Sequence, residues 1–226
     1  MSQPPSQLSS QPSRPCPENR STAGTGLTLA ACAVVLAVTF AVLARLTAGF
    51  ECWTFETRRR HDAAAGRLAW PAMALQDATG QTLSLPPLGP ILLVDFIYTN
   101  CASVCQSAGA AFYQAQQQVQ RTGADIRLMS LSIDPARDTP PALAAYARLH
   151  RADPRTWTVA VPASPDEGRR ARQALGVIAV DDGSGGFVHN GALHVVARDG
   201  RVAGIFDTAD WPQALALAER LAEARP

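Results

Sequence analysis

The sequence contains no lysine, so all 20 of its basic residues are arginines. This absence excludes a lysine nucleophile and a lysine Schiff base from the chemistry of the protein. The formal net charge is +1, and therefore no charge excess indicates nucleic acid or an anionic surface as a partner. The five cysteines are too few for a disulfide scaffold. The sequence also lacks a phosphate-binding loop, a dinucleotide-binding glycine fingerprint and zinc-finger spacing.

The N-terminal part of the chain has a composition unlike that of a folded domain. Residues 1–26 are rich in Ser, Gln and Pro, which predicts a disordered tail. An uncharged apolar run follows from Leu27 to Ala44, and as a helix it spans about 27 Å, close to the hydrocarbon thickness of a bilayer. A transmembrane anchor is therefore expected, with a cleaved signal peptide as the alternative. The predicted division is a tail over 1–26, an anchor over 27–50, a linker over 51–66 and a folded domain over 67–226.

The folded domain shows alternating strand and helix patterns. A turn signal at Asp77–Gly80 predicts an early hairpin. Ile91–Tyr98 is an almost continuous apolar run, as a buried central strand requires, and an apolar stripe with helical spacing follows over residues 104–121. Near the C-terminus, Asp199-Gly200 marks a second hairpin. This order predicts an α/β fold with a central, mainly parallel sheet, helices on both faces, and antiparallel strands at one edge.

Cys101 and Cys105 stand where the predicted central strand ends and a helix begins. Ligand sites of open α/β sheets lie at the carboxyl ends of the strands. With Ser103 as the helix cap, Cys105 falls in the first turn, where free backbone N–H groups and the positive helix end favour a thiolate. The two cysteines are thus a candidate metal site or redox pair. The alternative is a chance spacing, since three intervening residues depart from the usual redox spacing of two.

Two further side chains are candidates for the same site. His189 lies in a Gly-rich loop before the last hairpin. Two thiolates and one imidazole form a soft ligand set suited to Cu(I) and workable for Cu(II), although a lone histidine in a loop is commonly just solvated. Asp134 follows a strand and precedes a capped helix. One possibility is that Asp134 does not bind the metal itself but orients a metal ligand or tunes the pKa of a thiol. The alternative is that Asp134 and Asp138 only organise the turn and the helix cap.

Three segments together resemble the Sco/SenC family, whose members are assembly factors for cytochrome c oxidase. The segments are DFIYTNCASVC, LSIDPARDTP and VHNGALHVVARDGRVAGIF, and they occur in the family's order and approximate spacing. The resemblance covers about residues 68–225 and includes a single preceding membrane span. It implies a thioredoxin-like domain with a central mixed sheet, in which Cys101, Cys105 and His189 bind copper.

The sequence departs from the family's pattern at three positions. Ala102 and Gln106 stand where the family usually has proline near its two cysteines. Val188 stands where the family usually has aspartate immediately before the ligand histidine. The last change removes a possible orienting partner and a negative charge near the metal.

The resemblance implies a copper-binding metallochaperone without catalytic turnover, which delivers copper to cytochrome c oxidase at its dinuclear copper centre. Its expected partners are the copper-receiving oxidase subunit, other periplasmic copper or thiol-redox proteins, and the membrane through one span, but not nucleic acid. The alternative is an enzyme, a thiol–disulfide oxidoreductase in which Cys101 and Cys105 reduce cysteines of the oxidase or of another exported protein.

The implied location is the inner membrane of a bacterium, with the C-terminal domain in the periplasm. Arg45 and Arg58–Arg60 lie at or after the apolar run, and taken alone they favour a cytoplasmic domain. Long domains, however, are translocated largely regardless of charge, and the resemblance requires export.

Overall fold

The computed structural model of the protein describes residues 22–83, 89–101, 104–183 and 185–224, without the side chains of 22, 23 and 104–106. The chain divides into two compact units, residues 1–51 and 52–226. Most of the predicted tail, and the Ser103 cap, lie outside the described residues.

The first unit contains one long helix, α1 (Thr22–Leu46). Its segment Gly24–Leu46 is long and apolar enough to cross a membrane, and none of that window is buried. A signal sequence near an N-terminus has the same properties. The helix covers most of the segment predicted as a transmembrane anchor.

The second unit contains five α-helices and nine strands among its described residues. The helices are α2 (Phe55–Ala64), α3 (Val104–Thr122), α4 (Pro140–Leu149), α5 (Pro165–Ala174) and α6 (Trp211–Glu223). The strands are β1 (Leu75–Asp77), β2 (Thr82–Leu83), β3 (Ile91–Ile97), β4 (Ile126–Ser132), β5 (Trp157–Pro162), β6 (Ala179–Asp181), β7 (Phe187–His189), β8 (Leu193–Val196) and β9 (Val202–Phe206). Helix α2 lies within the segment predicted as a linker.

Seven strands form one mixed sheet in the order β2-β1-β5-β4-β3-β8-β9. Strands β3, β4 and β5 are parallel, as the alternating pattern predicts. Antiparallel strands flank them on both sides, because β1 pairs with β5 while β8 pairs with β3. The expected antiparallel strands at one edge are β8 and β9, and the early hairpin β1–β2 adds antiparallel strands at the opposite edge, which the sequence did not predict.

The central strand β3 is buried along its whole length, as its apolar run predicts. On one face of the sheet, Phe112 of α3 packs against Trp157 of β5, with ring centroids 5.4 Å apart. On the other face, Phe96 of β3 meets the ring of His194 edge-on at 4.9 Å. The parallel strands β3 and β4 end at the same edge of the sheet, and so the chain segments that follow them are neighbours.

His194 belongs to the core rather than to a functional site. Its imidazole is fully buried, and its two nitrogens lie 3.3 Å from the Ala192 carbonyl and 3.1 Å from the Leu175 carbonyl. Burial, together with the positive charge of Arg59, lowers the pKa of His194 to about 4. His194 is therefore neutral near pH 7, and its ring contributes to the packing of the core.

Candidate metal centre

Cys101 lies in the short segment that connects β3 to α3. The residue is buried, and its backbone N–H donates to the carbonyl oxygen of Tyr98 at 3.2 Å, which makes a tight turn directly after the strand. Cys105 is the second residue of α3, as the sequence predicts, and its side chain lies outside the described set. The described backbone thus places both cysteines at the junction where the buried strand ends and the helix begins.

Asp138 holds this cysteine-bearing turn in place from a neighbouring loop. Its buried carboxylate accepts hydrogen bonds from the backbone N–H of Thr99 at 3.1 and 3.2 Å and from the Thr99 hydroxyl at 2.6 Å. It also accepts a 2.6 Å bond from the hydroxyl of Ser132 at the end of β4. The Asp138 carboxylate therefore connects the chain that follows β3 to the end of β4. Its contact on the β3 side, Thr99, lies two residues before Cys101. Sequence reasoning considered Asp138 only as an organiser of its own turn.

His189 is the last residue of β7 rather than part of an irregular loop. Strands β6 and β7 form a separate antiparallel hairpin, in which His189 pairs with Ala179. The prediction of a Gly-rich loop was wrong for His189 itself, while Gly183, Gly185 and Gly186 lie in the turn of this hairpin, where Gly183 and Gly185 have positive φ.

The imidazole of His189 packs against Tyr98, the first residue of the cysteine-bearing turn. Its ring centroid lies 6.2 Å from that of Tyr98, whose carbonyl receives the Cys101 N–H. The Nδ1 atom is buried and has no hydrogen-bond partner among the described residues. Burial also lowers the pKa of His189, so the ring is neutral near pH 7. A neutral imidazole with an unused nitrogen is the form that binds a metal ion.

Asp134 contacts the hairpin through an arginine. Its buried carboxylate forms an ion pair with Arg137, and the guanidinium of Arg137 also donates to the carbonyl oxygen of Gly185. The same guanidinium lies 5.2 Å from the centroid of the Phe187 ring. Asp134 and Arg137 thus connect the segment after β4 to the tip of the His189 hairpin.

Val188 points away from the imidazole. Successive side chains of a strand face opposite sides, and Phe187 and His189 both pack against the Tyr98 ring. Val188 is 69% exposed and pairs in register with the exposed Val180 on the outer face of the hairpin. An aspartate at this position would also extend from the outer face.

The described donor atoms are compatible with a soft metal ion. In the described ranges, which exclude the Cys105 side chain, no three His, Cys, Asp or Glu side chains converge on a metal site. The ring of His189, whose Nδ1 has no described partner, nevertheless packs against Tyr98 in the segment that carries Cys101, and Cys105 follows in the first turn of the adjoining helix. One imidazole with thiolate sulfurs is a donor set that favours copper over harder cations.

Comparisons with a family model and with characterised proteins match this chain to the same family. A family model described as SCO1/SenC matches residues 71–224. The SCO1 protein homolog of Bacillus subtilis is 27% identical over 130 residues, which are 56% of this chain and 67% of that protein.

Solved structures of the same family share the fold. ScoI of Bradyrhizobium japonicum with copper bound is 21% identical, with a TM-score of 0.58 over 68% of this chain and 99% of its own. BsSco, a member of the Sco family of cytochrome c oxidase assembly proteins in which a disulfide switch was identified, is also 21% identical. Its TM-score is 0.62 over 70% of this chain and 95% of its own. The second unit therefore has the thioredoxin-like fold of these proteins.

Proposed function

Because this chain belongs to the SCO1/SenC family, we propose that it is a membrane-anchored metallochaperone that delivers copper to cytochrome c oxidase. Copper is its cargo, and Cys101, Cys105 and His189 bind it. The single observation that carries the proposal is the buried Nδ1 of His189, which lacks a described partner and lies beside the turn that carries Cys101. The acceptor on the oxidase is its dinuclear copper centre.

Each element of the site has a separate role in this proposal. Asp138 accepts hydrogen bonds from Thr99 and thereby fixes the backbone that leads to Cys101. The first turn of α3 carries Cys105, where unpaired backbone N–H groups favour a thiolate. The hairpin supplies His189 from a second, smaller sheet, whose strands pair with each other rather than with the central sheet. Displacement of that hairpin would remove one ligand from copper and leave the two sulfurs for exchange with an acceptor.

Two structural relatives support the proposal that the protein binds copper and acts in the assembly of cytochrome c oxidase. The Bradyrhizobium japonicum ScoI structure contains copper, and BsSco is described among cytochrome c oxidase assembly proteins. We further propose that α1 anchors the chain in the inner membrane of a bacterium and that the second unit faces the periplasm. In that compartment the thiols meet exported copper proteins and thiol-redox partners.

The alternative function is a thiol–disulfide oxidoreductase. The placement of Cys105 in the first turn of α3 favours it, since a thiolate at a helix N-terminus is also a nucleophile. Copper transfer requires His189, whereas disulfide exchange requires only the two cysteines. The two functions therefore differ in their dependence on the imidazole.

The test is a copper titration of the reduced full-length protein in detergent, against a competing chelator. The expected result is one copper per chain, with tight binding abolished by Cys101→Ser or Cys105→Ser. His189→Ala should weaken binding by about tenfold or more, equivalent to about 1.4 kcal/mol. His61→Ala is the matched control, because His61 contacts Arg67 on the surface of α2. Parent-like affinity in His189→Ala would contradict the copper site, and disulfide reduction by the same variant would favour the oxidoreductase.

A further inference from the structure

Helix α2 contains an arginine that is buried in the domain, although the helix precedes the matched residues 71–224. Its sequence has three consecutive arginines, of which only the middle one is enclosed. The side chain of Arg59 is 2% exposed, whereas those of Arg58 and Arg60 are 49% and 37% exposed. A buried guanidinium is costly unless it is paired, so a specific set of partners must retain Arg59 inside.

The partners of Arg59 lie at the base of the His189 hairpin. Glu56, one turn earlier on α2, compensates the charge with an ion pair of 2.8 Å. The guanidinium then donates to the carbonyl oxygen of Gly176, just before β6, and to that of Asn190, just after β7, both at 3.4 Å. Arg59 therefore bridges the chain entering the hairpin and the chain leaving it.

The backbone at Gly176 is shaped to accept the arginine. Gly176 has a φ of +66°, and a β-carbon at this position would lie 2.8 Å from Cδ and 2.9 Å from Cγ of Arg59. Both the conformation and the close approach require glycine here. The aliphatic part of the Arg59 side chain thus packs directly on the turn that ends α5.

Asn190 completes the same cluster. Its side-chain oxygen accepts the Ile178 N–H at 2.7 Å, and its side-chain amide donates to the Gly176 carbonyl at 3.2 Å. Its backbone N–H donates to the Ile178 carbonyl at 3.1 Å. Because the hairpin strands pair with each other and not with the central sheet, the hairpin is held by side-chain contacts: these at its base, those of Arg137 at its tip, and the packing of Phe187 and His189 on Tyr98.

We infer that Arg59 is a positioning residue for His189: it fixes the Asn190 carbonyl and, through it, the chain that carries the imidazole. The inference rests on the proposed role of His189 as a copper ligand, but the positioning itself does not involve the metal. Helix α2, which follows the apolar helix in the sequence, thus acts on the proposed copper site only through the hairpin that carries His189. Outer partners of this kind typically change metal affinity by about 10- to 100-fold.

The first arm of the test measures the position of His189 without copper. Metal-free full-length protein in detergent is treated with diethyl pyrocarbonate, which acylates accessible neutral imidazole nitrogens, and each histidine is followed by peptide mass spectrometry. Arg59→Ala should raise the rate at His189 several-fold. Arg58→Ala is the matched control and should leave it at the parent rate. His150, buried against Gly109 of α3, reports whether the domain stays folded.

A parent-like rate at His189 in Arg59→Ala, with His150 unchanged, would overturn the inference. If His150 also becomes reactive, the substitution has loosened the whole domain, and Arg59→Lys becomes the deciding variant. That variant keeps the positive charge beside Glu56 but cannot bridge the carbonyls of Gly176 and Asn190. A raised rate at His189 alone would then support the inference, and a parent-like rate would refute it.

The second arm measures copper affinity in the same variants. Arg59→Ala should weaken copper binding by about tenfold at unchanged stoichiometry. Arg59→Lys keeps the charge but cannot bridge both carbonyls, so its affinity should lie between those of the parent and Arg59→Ala. Raised His189 reactivity without a change in copper affinity would uphold the positioning and contradict the copper role of His189. The experiments therefore distinguish a failure of the positioning role of Arg59 from a failure of the copper-binding role of His189.

Discussion

The stability of the domain should depend on pH through one buried carboxyl group, Asp95. It lies in the middle of β3, is 3% exposed, and neither of its oxygens has a hydrogen-bond partner among the described residues. Burial raises the pKa of Asp95 to about 7. The group is therefore protonated in the folded protein under mildly acidic conditions.

The size of the effect follows from the difference between the folded and unfolded pKa values. In the unfolded chain Asp95 ionises near its ordinary pKa of 3.8, while in the folded protein it keeps its proton up to about pH 7. The folded state then holds more protons between these values, so stability decreases as pH rises from about 4 to about 7. Roughly three pKa units correspond to about 4 kcal/mol, and above pH 7 the group adds no further change.

Asp95→Asn removes this dependence because the amide is neutral at every pH and has nearly the shape of the protonated acid. Urea unfolding of the full-length protein in detergent, followed by tryptophan fluorescence between pH 4.5 and 8, gives the difference. Because part of the change already occurs below pH 4.5, the variant should gain about 3 kcal/mol relative to the parent on going from pH 4.5 to 8. Asp166→Asn, at an exposed position, is the control. Parallel stability curves for Asp95→Asn and the parent would refute the reasoning.

Three further outcomes are expected. Asp138→Ala leaves the buried donors of Thr99 and Ser132 without their acceptor, so it should lower the unfolding free energy by about 1–3 kcal/mol and weaken copper binding. An unfolding free energy and a copper affinity equal to those of the parent would contradict this role. Gly109→Ala places a β-carbon 2.2 Å from the His150 ring, which should cost about 1–3 kcal/mol, and the double variant with His150→Ala should recover part of this loss. Val188→Asp should change copper affinity less than about tenfold, since the side chain lies on the outer face of the hairpin; a larger change in the titration would place a carboxylate at 188 in the site.

Much of the central fold follows from local patterns in the sequence. The apolar run of β3, the helical stripe of α3 and the Asp199-Gly200 turn each correspond to the observed element. Ser164 caps α5 through the backbone N–H of Glu167 at 3.2 Å. The family assignment, made from three short segments, is confirmed by the match over residues 71–224.

The features that sequence reasoning missed depend on contacts distant along the chain. Helix α2 escaped detection because its enclosed surface includes Arg59, a residue type that an apolar stripe does not register. Strands β6 and β7 have only three residues each, and the glycines between them indicate a loop. Asp138 contacts Thr99 across 39 positions, and no local pattern distinguishes that contact from a role in its own turn.

The central claim is that two sulfurs and one imidazole bind copper, and X-ray absorption at the copper edge measures that ligand shell most directly. The sample is the reduced full-length protein loaded with one equivalent of copper in detergent. The account predicts a shell of two sulfur ligands and one imidazole nitrogen, with loss of the imidazole signal in His189→Ala. A shell in His189→Ala identical to that of the parent would contradict it.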